Sequence, residues 1–547
     1  MKKEWFKNPI CMALAINLVF LVLYIIFSPC NLSSLDDVVM SSFVTGAYGG
    51  EFDPHLYFVN AIYAYFLKPF YQVFPTIGWY YIFEVVAVFV SFTSLCYALI
   101  KKAENKWGLL LSALLLSGSS YDFYYRVGFT QTAALLTSAG LVLIFMVPER
   151  RKLPLYTGLL LLVGGFVFRK EAFLLGTPFG LTMLVVNYLR SKTIPWASLF
   201  AGVLAFGVIA GLLVGDKSLY TDKEYSYYAA YQGPRAVFGD GAYYDGEAAY
   251  DELEDGGRNG ADLHMLQNWM FYDTEVFSLD SLKPFLNVVQ RNKYSLNYAK
   301  FPIALWYIFQ KSFAGGVPWC YVFFSCILLF GCRGKLRYYP WVPFLWVVVC
   351  LAYLLIVNRV VAHVVVGIWI YACVSLIPFV RREYLAINLT RRLTLASLFV
   401  IALFYVFCCW GHIESDERND DAMISFYNYA SSHKDDVYIL PFNPYKEFVN
   451  HFRRQSYLAV SPGSWNNIFS LGYWNIYFPP MEREMEKRGV TNPLRNIVKE
   501  NVYVFDERRR GEWEFFYERH YHQKLIVDSL LQLGKYKLYK YNLAEEE

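Results

Sequence analysis

Eleven apolar runs, separated by short polar breaks, occupy most of the first 410 residues. A helix needs about 20 predominantly apolar residues to cross the hydrocarbon core of a bilayer, and the shorter runs reach this length only with flanking aromatic residues. Charged residues make up 18% of the chain, against about 25% in soluble proteins. The sequence therefore predicts an α-helical polytopic membrane protein with about 11 transmembrane helices. The runs lie near residues 10–28, 77–100, 107–120, 128–147, 153–168, 172–189, 195–215, 317–332, 338–357, 360–380 and 393–410.

Basic residues lie at every second break between these runs, and this pattern orients the helices. Cytoplasmic loops carry an excess of Lys and Arg, so we expect these breaks and the N-terminus inside and the C-terminus outside a plasma membrane. The first run follows a basic start like that of a secretory signal, but no small-residue cleavage site follows, so we expect it to be retained. The basic residues are Lys2, Lys3, Lys7, Lys101, Lys102, Lys106, Arg150, Arg151, Lys152, Arg190, Lys192, Arg333, Lys335, Arg337, Arg381, Arg382, Arg391 and Arg392.

The polar segments define the expected domains. Residues 1–410 form a transmembrane domain with outer loops at 29–76 and 216–300, and residues 411–547 form an extracytoplasmic soluble domain. The second loop is rich in Tyr, Gly and acidic residues and has no regular pattern, whereas the first contains an aromatic stretch that suits interfacial helices. Period-two and helical patterns in the tail predict a small α/β domain. Its expected strands are 437–441, 502–506 and 536–541, and its expected helices are 480–488 and 513–521.

An acidic pair, Asp36 and Asp37, follows the first run on the outer side. Adjacent carboxylates repel each other, which tends to raise the pKa of one of them, and such a carboxylate can act as a general base. The structural alternative is a helix N-cap formed by Ser33, Ser34 or Asp36. On a helix the two side chains would point about 100° apart, so at most one would face a given site.

Cations also stand at outer helix ends, where the topology would not place them. A charge beside an apolar run is costly unless it has a partner or a wet cavity, and Arg holds phosphate in a bidentate manner. We therefore expect an outer cavity that binds a phosphate or pyrophosphate. Each cation alone could instead snorkel to the interface, and Glu171 could neutralise its neighbours. The candidates are Arg126, Arg169, Lys170, Arg359 and His363.

Acidic residues in the second outer loop suggest a divalent cation, the one cofactor that the residues indicate. Their spacing does not fit an EF-hand, and an ordinary solvated loop explains them better. In this loop, His264, Trp269 and Tyr272 could stack on a sugar or form hydrogen bonds with it. In the tail, the same roles are available to Trp465, Asn466, Asn467, Trp474 and Asn475, although an ordinary domain core also explains the tryptophans. The acidic residues are Asp240, Asp245, Asp251, Glu252, Glu254, Asp255 and Asp262.

Motifs for nucleotide binding, serine hydrolysis and zinc proteolysis are missing from the sequence. An ATP-driven pump or a cytoplasmic nucleotide-sugar enzyme is therefore not expected. The net charge of +4 is dispersed, which argues against a nucleic-acid partner. All ten cysteines lie outside the segments 216–300 and 411–547, so we expect no disulfides there.

A first span, an outer acidic pair and an aromatic stretch, here Asp36-Asp37 and His55 through Trp79, resemble the GT-C superfamily of membrane glycosyltransferases. The resemblance implies inverting transfer of a sugar from a polyprenyl-phosphate donor to a glycan, lipid or protein acceptor of the cell envelope. It implies that Asp36 or Asp37 deprotonates the acceptor hydroxyl. From topology we place the carrier phosphate at the outer cations, and the acceptor or sugar at His55, Trp465 and Trp474. Because no second catalytic carboxylate is evident, metal dependence stays open.

Two other activities fit parts of the pattern. An O-antigen-type polymerase or ligase would give the central roles to Arg359 and His363. A transporter of lipid-linked saccharide would need functional charges near the bilayer midplane, whereas the charges here stand mainly at helix ends. A receptor-like membrane protein without catalysis is the remaining alternative.

Overall fold

The computed structural model describes residues 8–28, 30–146, 152–192, 196–239, 244–257, 259–293, 299–357, 359–385, 392, 396 and 421–544. The eleventh apolar run, 393–410, lies outside the described residues except for Ala396. Asp240 of the acidic loop and the basic residues Lys2, Lys3, Lys7, Arg150, Arg151 and Arg391 lie outside them as well.

Helices dominate the first 385 residues. The other ten apolar runs all coincide with helices, and six helices of the described chain are long and apolar enough to cross a membrane. A seventh crossing is possible if the helices Phe301–Ser312 and Gly316–Gly331, which meet at 91°, form one broken span. The helices are α1 (Pro9–Phe27), α2 (Leu35–Thr45), α3 (Ala61–Val73), α4 (Trp79–Ala103), α5 (Asn105–Ser120), α6 (Phe129–Met146), α7 (Lys152–Phe168), α8 (Lys170–Ser191), α9 (Trp196–Leu219), α10 (Lys223–Gly239), α11 (Gly246–Asp255), α12 (Gly260–Gln267), α13 (Leu279–Arg291), α14 (Phe301–Ser312), α15 (Gly316–Gly331), α16 (Trp341–Ile356), α17 (Ala362–Ser375) and α18 (Arg382–Leu385).

Helix α6 lies at the centre of the membrane domain and packs against α4, α7, α8 and α17. Small residues allow the closest of these approaches. A Cβ atom on Gly165 would stand 2.1 Å from the Thr137 Oγ1 atom, and one on Gly140 would stand 2.8 Å from the Gly158 carbonyl oxygen. Because lipid supplies no hydrophobic drive between helices, close backbone packing of this kind stabilises the bundle.

The segment 216–300, expected to be an irregular outer loop, is folded in its described part largely into helices α10 to α13. These helices are short, and several of their buried side chains are tyrosines, such as Tyr225, Tyr228 and Tyr231 of α10. A tyrosine ring buries a large apolar area although its hydroxyl makes the residue look polar. The apolar periodicity of this loop was therefore hidden from a hydropathy pattern.

The tail forms a five-stranded sheet flanked by helices. The strand order is β2-β1-β3-β5-β4, where β1 is parallel to β2 and β3, and β5 is antiparallel to β3 and β4. The three predicted strands and both predicted helices are present, and β2 and β4 are additional strands. The elements are α19 (Asp421–Ser432), β1 (Val437–Leu440), α20 (Phe442–Arg453), β2 (Ile468–Ser470), α21 (Pro479–Lys487), β3 (Val502–Asp506), α22 (Gly511–Tyr521), β4 (Leu525–Leu533) and β5 (Tyr536–Leu543).

This C-terminal domain packs directly on α2 and the turn that follows it. The Phe43 and Phe478 rings stack at 3.7 Å, and the Trp465 backbone N–H donates to the Ala47 carbonyl at 3.0 Å. Gly46 ends α2 with φ +73, and a Cβ atom there would stand 2.7 Å from the Glu51 backbone nitrogen. The sheet domain and the acidic pair are thus held against each other.

Candidate active site

Helix α2 begins immediately before the acidic pair. Ser34 is its N-cap, because the Ser34 Oγ atom accepts a hydrogen bond from the Asp36 backbone N–H at 3.1 Å. Asp36 is therefore not the cap, and both aspartates lie in the first turn, where the helix dipole favours negative charge. Successive residues on a helix diverge by about 100°, so the two carboxyl groups enter different surroundings.

Asp36 faces the C-terminal domain. Its Oδ1 atom accepts hydrogen bonds from the Tyr473 hydroxyl at 2.7 Å and from the Trp474 Nε1–H at 2.9 Å. Both donors lie in the turn after β2, where the Ser470 Oγ atom accepts from the Tyr473 backbone N–H at 2.9 Å. Two donors on one oxygen fix the orientation of the carboxylate.

Asp37 points the other way and is fully buried. Its carboxylate accepts from the Tyr80 hydroxyl at 3.0 Å and from the Phe129 backbone N–H at 3.4 Å. Burial raises the pKa of Asp37 well above its ordinary value, and the negative charge of Asp36 adds to this effect, although the hydrogen bond from Tyr80 opposes it. Glu84 is also fully buried and interacts with Asp37. Asp37 and Glu84 thus form a buried polar cluster that does not line the cavity described next.

A cavity of about 840 Å³ opens beside Asp36, between the membrane helices and the C-terminal domain. Asp37 is not among its lining residues. Membrane helices α8, α16 and α17 supply much of an apolar wall, whereas the loop helices and the C-terminal domain supply aromatic and basic side chains. The lining residues are Ser34, Leu35, Asp36, Phe58, Phe129, Thr130, Ala134, Arg169, Glu171, Ala172, Leu174, Leu175, Pro178, Arg235, Trp269, Tyr353, Leu354, Val357, Arg359, Val361, His363, Val364, Gly367, Tyr371, Phe442, Lys446, Tyr473 and Trp474.

Three of the five residues expected to bind a phosphate line this cavity, namely Arg169, Arg359 and His363. The Arg169 guanidinium lies 5.0 Å from the ring centroids of both Phe58 and Phe129. It also pairs with the half-exposed Glu171 at 2.9 Å. Aromatic faces on a guanidinium hold its plane without consuming its donors. Arg169 is thus oriented towards the space that Asp36 shares.

The other predicted site residues, apart from Trp474, lie away from the cavity lining. Arg126 lies over the Tyr121 ring at 5.2 Å, and exposed Lys170 stands 3.8 Å from Glu171. Trp465 is fully buried in the core of the C-terminal domain.

His55 joins the first outer loop to the helices that follow α8. Its Nδ1 atom stands 2.8 Å from the Asp53 Oδ1 atom, and its Nε2 atom stands 3.3 Å from the Leu219 carbonyl. The imidazole also stacks on Tyr225 at 3.5 Å, and the Tyr225 hydroxyl donates to Asp53. Both ring nitrogens thus face acceptors within the fold, outside the cavity.

Sequence reasoning missed Arg235, Lys446 and Tyr473 as cavity residues. Arg235 is 2% exposed, and its guanidinium lies 5.1 Å from the Trp269 ring centroid. That ring in turn stacks on Phe442 at 4.3 Å. No spacing pattern joins these positions, because they come from α10, α20 and separate turns. Only their placement around one cavity identifies them.

Three of the acidic loop residues that the structure describes make structural contacts. Glu252 pairs with Arg291, Asp262 with His520, and the Asp245 side chain caps α11. Among the described residues, no group of three or more His, Cys, Asp or Glu side chains could hold a metal ion. The eight cysteines in the described part of the chain are all free.

No family model and no curated protein matches this chain. Among solved structures, it is similar to ArnT from Cupriavidus metallidurans in the apo state, with a TM-score of 0.39 and 10% identity over 96% of each chain. It is also similar to ArnT from the same organism bound to undecaprenyl phosphate, with a TM-score of 0.38 and 10% identity over 97% of this chain and 98% of that chain. At these TM-scores the two folds correspond only loosely, and the geometry of the site is what supports a function.

Proposed function

We propose that this protein is a membrane glycosyltransferase that transfers a sugar from a polyprenyl-phosphate-linked donor to an acceptor hydroxyl on the outer face of the cytoplasmic membrane. One observation carries the proposal. The Asp36 carboxylate, Arg169 and Arg359 line a single cavity between the membrane helices and the C-terminal domain. A base and a cationic clamp are the two devices that this transfer needs.

The chemistry requires few groups. The acceptor oxygen attacks the anomeric carbon of the donor, and the bond between that carbon and the phosphate oxygen breaks. The bonding electrons pass to the phosphate, where Arg169 and Arg359 stabilise the developing charge. Asp36 takes the proton of the attacking hydroxyl. Attack opposite the leaving phosphate inverts the anomeric centre.

The walls of the cavity fit an amphiphilic donor. The apolar side chains of Leu174, Leu175 and Val364 extend from membrane helices and suit an isoprenoid chain. Trp474, which donates to Asp36, also lines the cavity and offers an indole face to a sugar. The hydrophobic and the polar parts of the donor would thus meet at the level of Asp36.

A second candidate is an O-antigen-type polymerase or ligase, because Arg359 and His363 both line the cavity. That reaction uses a saccharide on a polyprenyl pyrophosphate, whereas the proposed transfer uses a monophosphate carrier. The two candidates therefore differ in the donor that they consume and in whether Asp36 is needed.

A donor screen tests the proposal. Purified protein in nanodiscs would be incubated with isotopically labelled polyprenyl-monophosphate sugars and, separately, with polyprenyl-pyrophosphate saccharides, together with membrane extracts as acceptors. We expect transfer from a monophosphate donor by the wild type and by Asp37→Asn, and none above background by Asp36→Asn. Transfer from pyrophosphate donors alone, with full activity in Asp36→Asn, would establish the second candidate instead.

A further inference from the structure

A second polar pocket, of about 300 Å³, lies at the other ends of the helices that form the candidate active site. Its lining residues come from the C-terminal parts of α4, α6 and α8 and from the segment after α17. They are Lys102, Phe145, Met183, Asn187, Arg190, Ser191, Pro378, Phe379 and Arg381. Neither the base nor the cationic clamp of the proposed reaction contributes to this pocket.

The helix directions place the two cavities at opposite membrane faces. Arg169 and Glu171 line the first cavity at the start of α8, whereas Arg190 and Ser191 line the second at its end. A 22-residue helix such as Lys170–Ser191 spans about 33 Å at 1.5 Å per residue. This length matches the hydrocarbon core of about 30 Å. The small pocket therefore opens at the membrane surface remote from Asp36.

Three cations converge on this pocket, and no carboxylate is among its described lining residues. Lys102 lies close enough to Arg190 and Arg381 for their like charges to repel. The neighbouring Arg382 differs, because it pairs with Glu104 at 2.7 Å. Like charges held together in a concave site favour binding of an anion.

The remaining lining groups match a phosphate that is attached to an apolar body. Asn187 and Ser191 add polar side chains that can donate hydrogen bonds, and Phe145, Met183 and Phe379 form an apolar floor. The Arg190 guanidinium lies 5.8 Å from the centroid of the Phe379 ring. Basic pockets between transmembrane helices at a bilayer surface suit anionic lipid head groups.

We propose that this pocket binds a phosphate group, supplied by the head group of an anionic phospholipid or by free phosphate. Lys102, Arg190 and Arg381 hold the phosphate oxygens, and the glycerol and first acyl carbons of a lipid lie on the aromatic floor. The apolar floor and the position at the membrane surface favour the lipid as the source. The site is independent of the proposed transferase activity.

Lipid retention by the full-length protein tests the proposal. Native mass spectrometry would compare binding of phosphatidylglycerol and of phosphatidylcholine with identical acyl chains. We expect saturable retention of phosphatidylglycerol by the wild type. Arg190→Gln and Arg381→Gln should each weaken that retention about five- to tenfold. Arg382→Gln is the matched control, because it removes an adjacent arginine outside the pocket, and should retain the lipid as the wild type does.

The source of the phosphate is resolved by competition with inorganic phosphate at constant ionic strength, with sodium sulfate and sodium chloride as references. Displacement of phosphatidylglycerol by millimolar phosphate alone would assign the pocket to free phosphate, whereas persistence would assign it to the lipid. Equal weakening by Arg381→Gln and Arg382→Gln, or equal retention of the two phospholipids, would overturn the site. Unchanged thermal midpoints of the three variants in lipid-free detergent would show that each is folded.

Discussion

The two faces of α2 put adjacent aspartates into opposite environments. Asp36 lines a cavity of about 840 Å³ and is held by donors from the C-terminal domain. Asp37, one residue later, is fully buried and contacts Tyr80 from a membrane helix. The same chemical group can serve as an accessible base on one face and as a buried structural group with a raised pKa on the other. Two neighbouring aspartates on a helix therefore differ in their surroundings, and only the one that faces the cavity can act there.

Activity should separate the two aspartates most strongly. We expect Asp36→Asn to lower the rate of transfer about 1,000-fold, because a general base contributes about 100- to 10,000-fold. Asp37→Asn should lower the rate less than about threefold, since Asn still accepts from Tyr80. Initial rates with the donor identified by screening would provide the measurement. Comparable losses in the two variants would end the distinction between the faces.

Two adjacent cations extend the comparison to the phosphate side of the cavity. Arg169 lines the cavity, whereas Lys170 is exposed and does not. We expect Arg169→Gln to lower kcat/KM about 30- to 100-fold, as removal of one partner from a desolvated charge pair typically costs about 2–5 kcal/mol. Lys170→Gln should change it less than about threefold. Steady-state kinetics on both variants would decide, and the reverse ranking would move the phosphate to Lys170.

A smaller effect should follow from loosening the Asp36 carboxylate. Tyr473→Phe removes one of its two donors from the turn after β2, and we expect about a fivefold loss in kcat, which corresponds to about 1 kcal/mol, the net contribution of a typical hydrogen bond. Tyr445→Phe is the control, because that buried hydroxyl contacts Tyr48 and Asn475 instead. Stopped-time assays on the two variants would show whether the C-terminal domain orients the base. Identical rates in Tyr473→Phe and Tyr445→Phe would indicate that the C-terminal domain does not orient Asp36.

The smallest effect concerns pH and stability on the buried face. Burial raises the pKa of Asp37 in the folded protein, whereas in the unfolded chain Asp ionises near pH 3.9. As pH rises above about 4, the unfolded state gains ionisation that the folded state lacks, so this group contributes a progressive loss of stability up to its folded pKa. The Asp37→Asn variant should not show this loss. We therefore expect the difference in thermal midpoint between the variant and the wild type to be about 2–4 °C larger at pH 7.5 than at pH 4.5.

Differential scanning fluorimetry in detergent across this pH range would measure the effect, taken as the difference between variant and wild type. Glu84, Tyr80 and Asp36 surround Asp37 and are unchanged in the variant. Asp280→Asn provides the control. Asp280 is exposed, its hydrogen bond from Lys283 lowers its pKa, and the carboxylate stays ionised in the folded and the unfolded chain across most of this pH range. A pH-independent difference for Asp37→Asn would show that Asp37 is ionised in the fold.

Part of the site was accessible to sequence reasoning. Asp36, Arg169, Arg359 and His363 are predicted because charged residues stand at the ends of apolar runs, and Trp474 is predicted because aromatic and amide side chains occur together in the tail. Arg235 and Lys446 could not be found in this way, since each lies in a polar amphipathic helix where basic residues are common. Their position at the cavity depends on packing between distant segments.

The sequence by itself determined the helices that coincide with the ten described apolar runs and the strands β1, β3 and β5 of the tail. Those features follow from apolar run length and residue alternation, which are local properties of a chain. Only the tertiary structure decided which aspartate faces the cavity and what holds it. The Asp36 carboxylate meets Tyr473 across 437 positions of sequence, and no local pattern records a contact of that length. The rotation of one residue about the α2 axis then separates a candidate base from a buried acid.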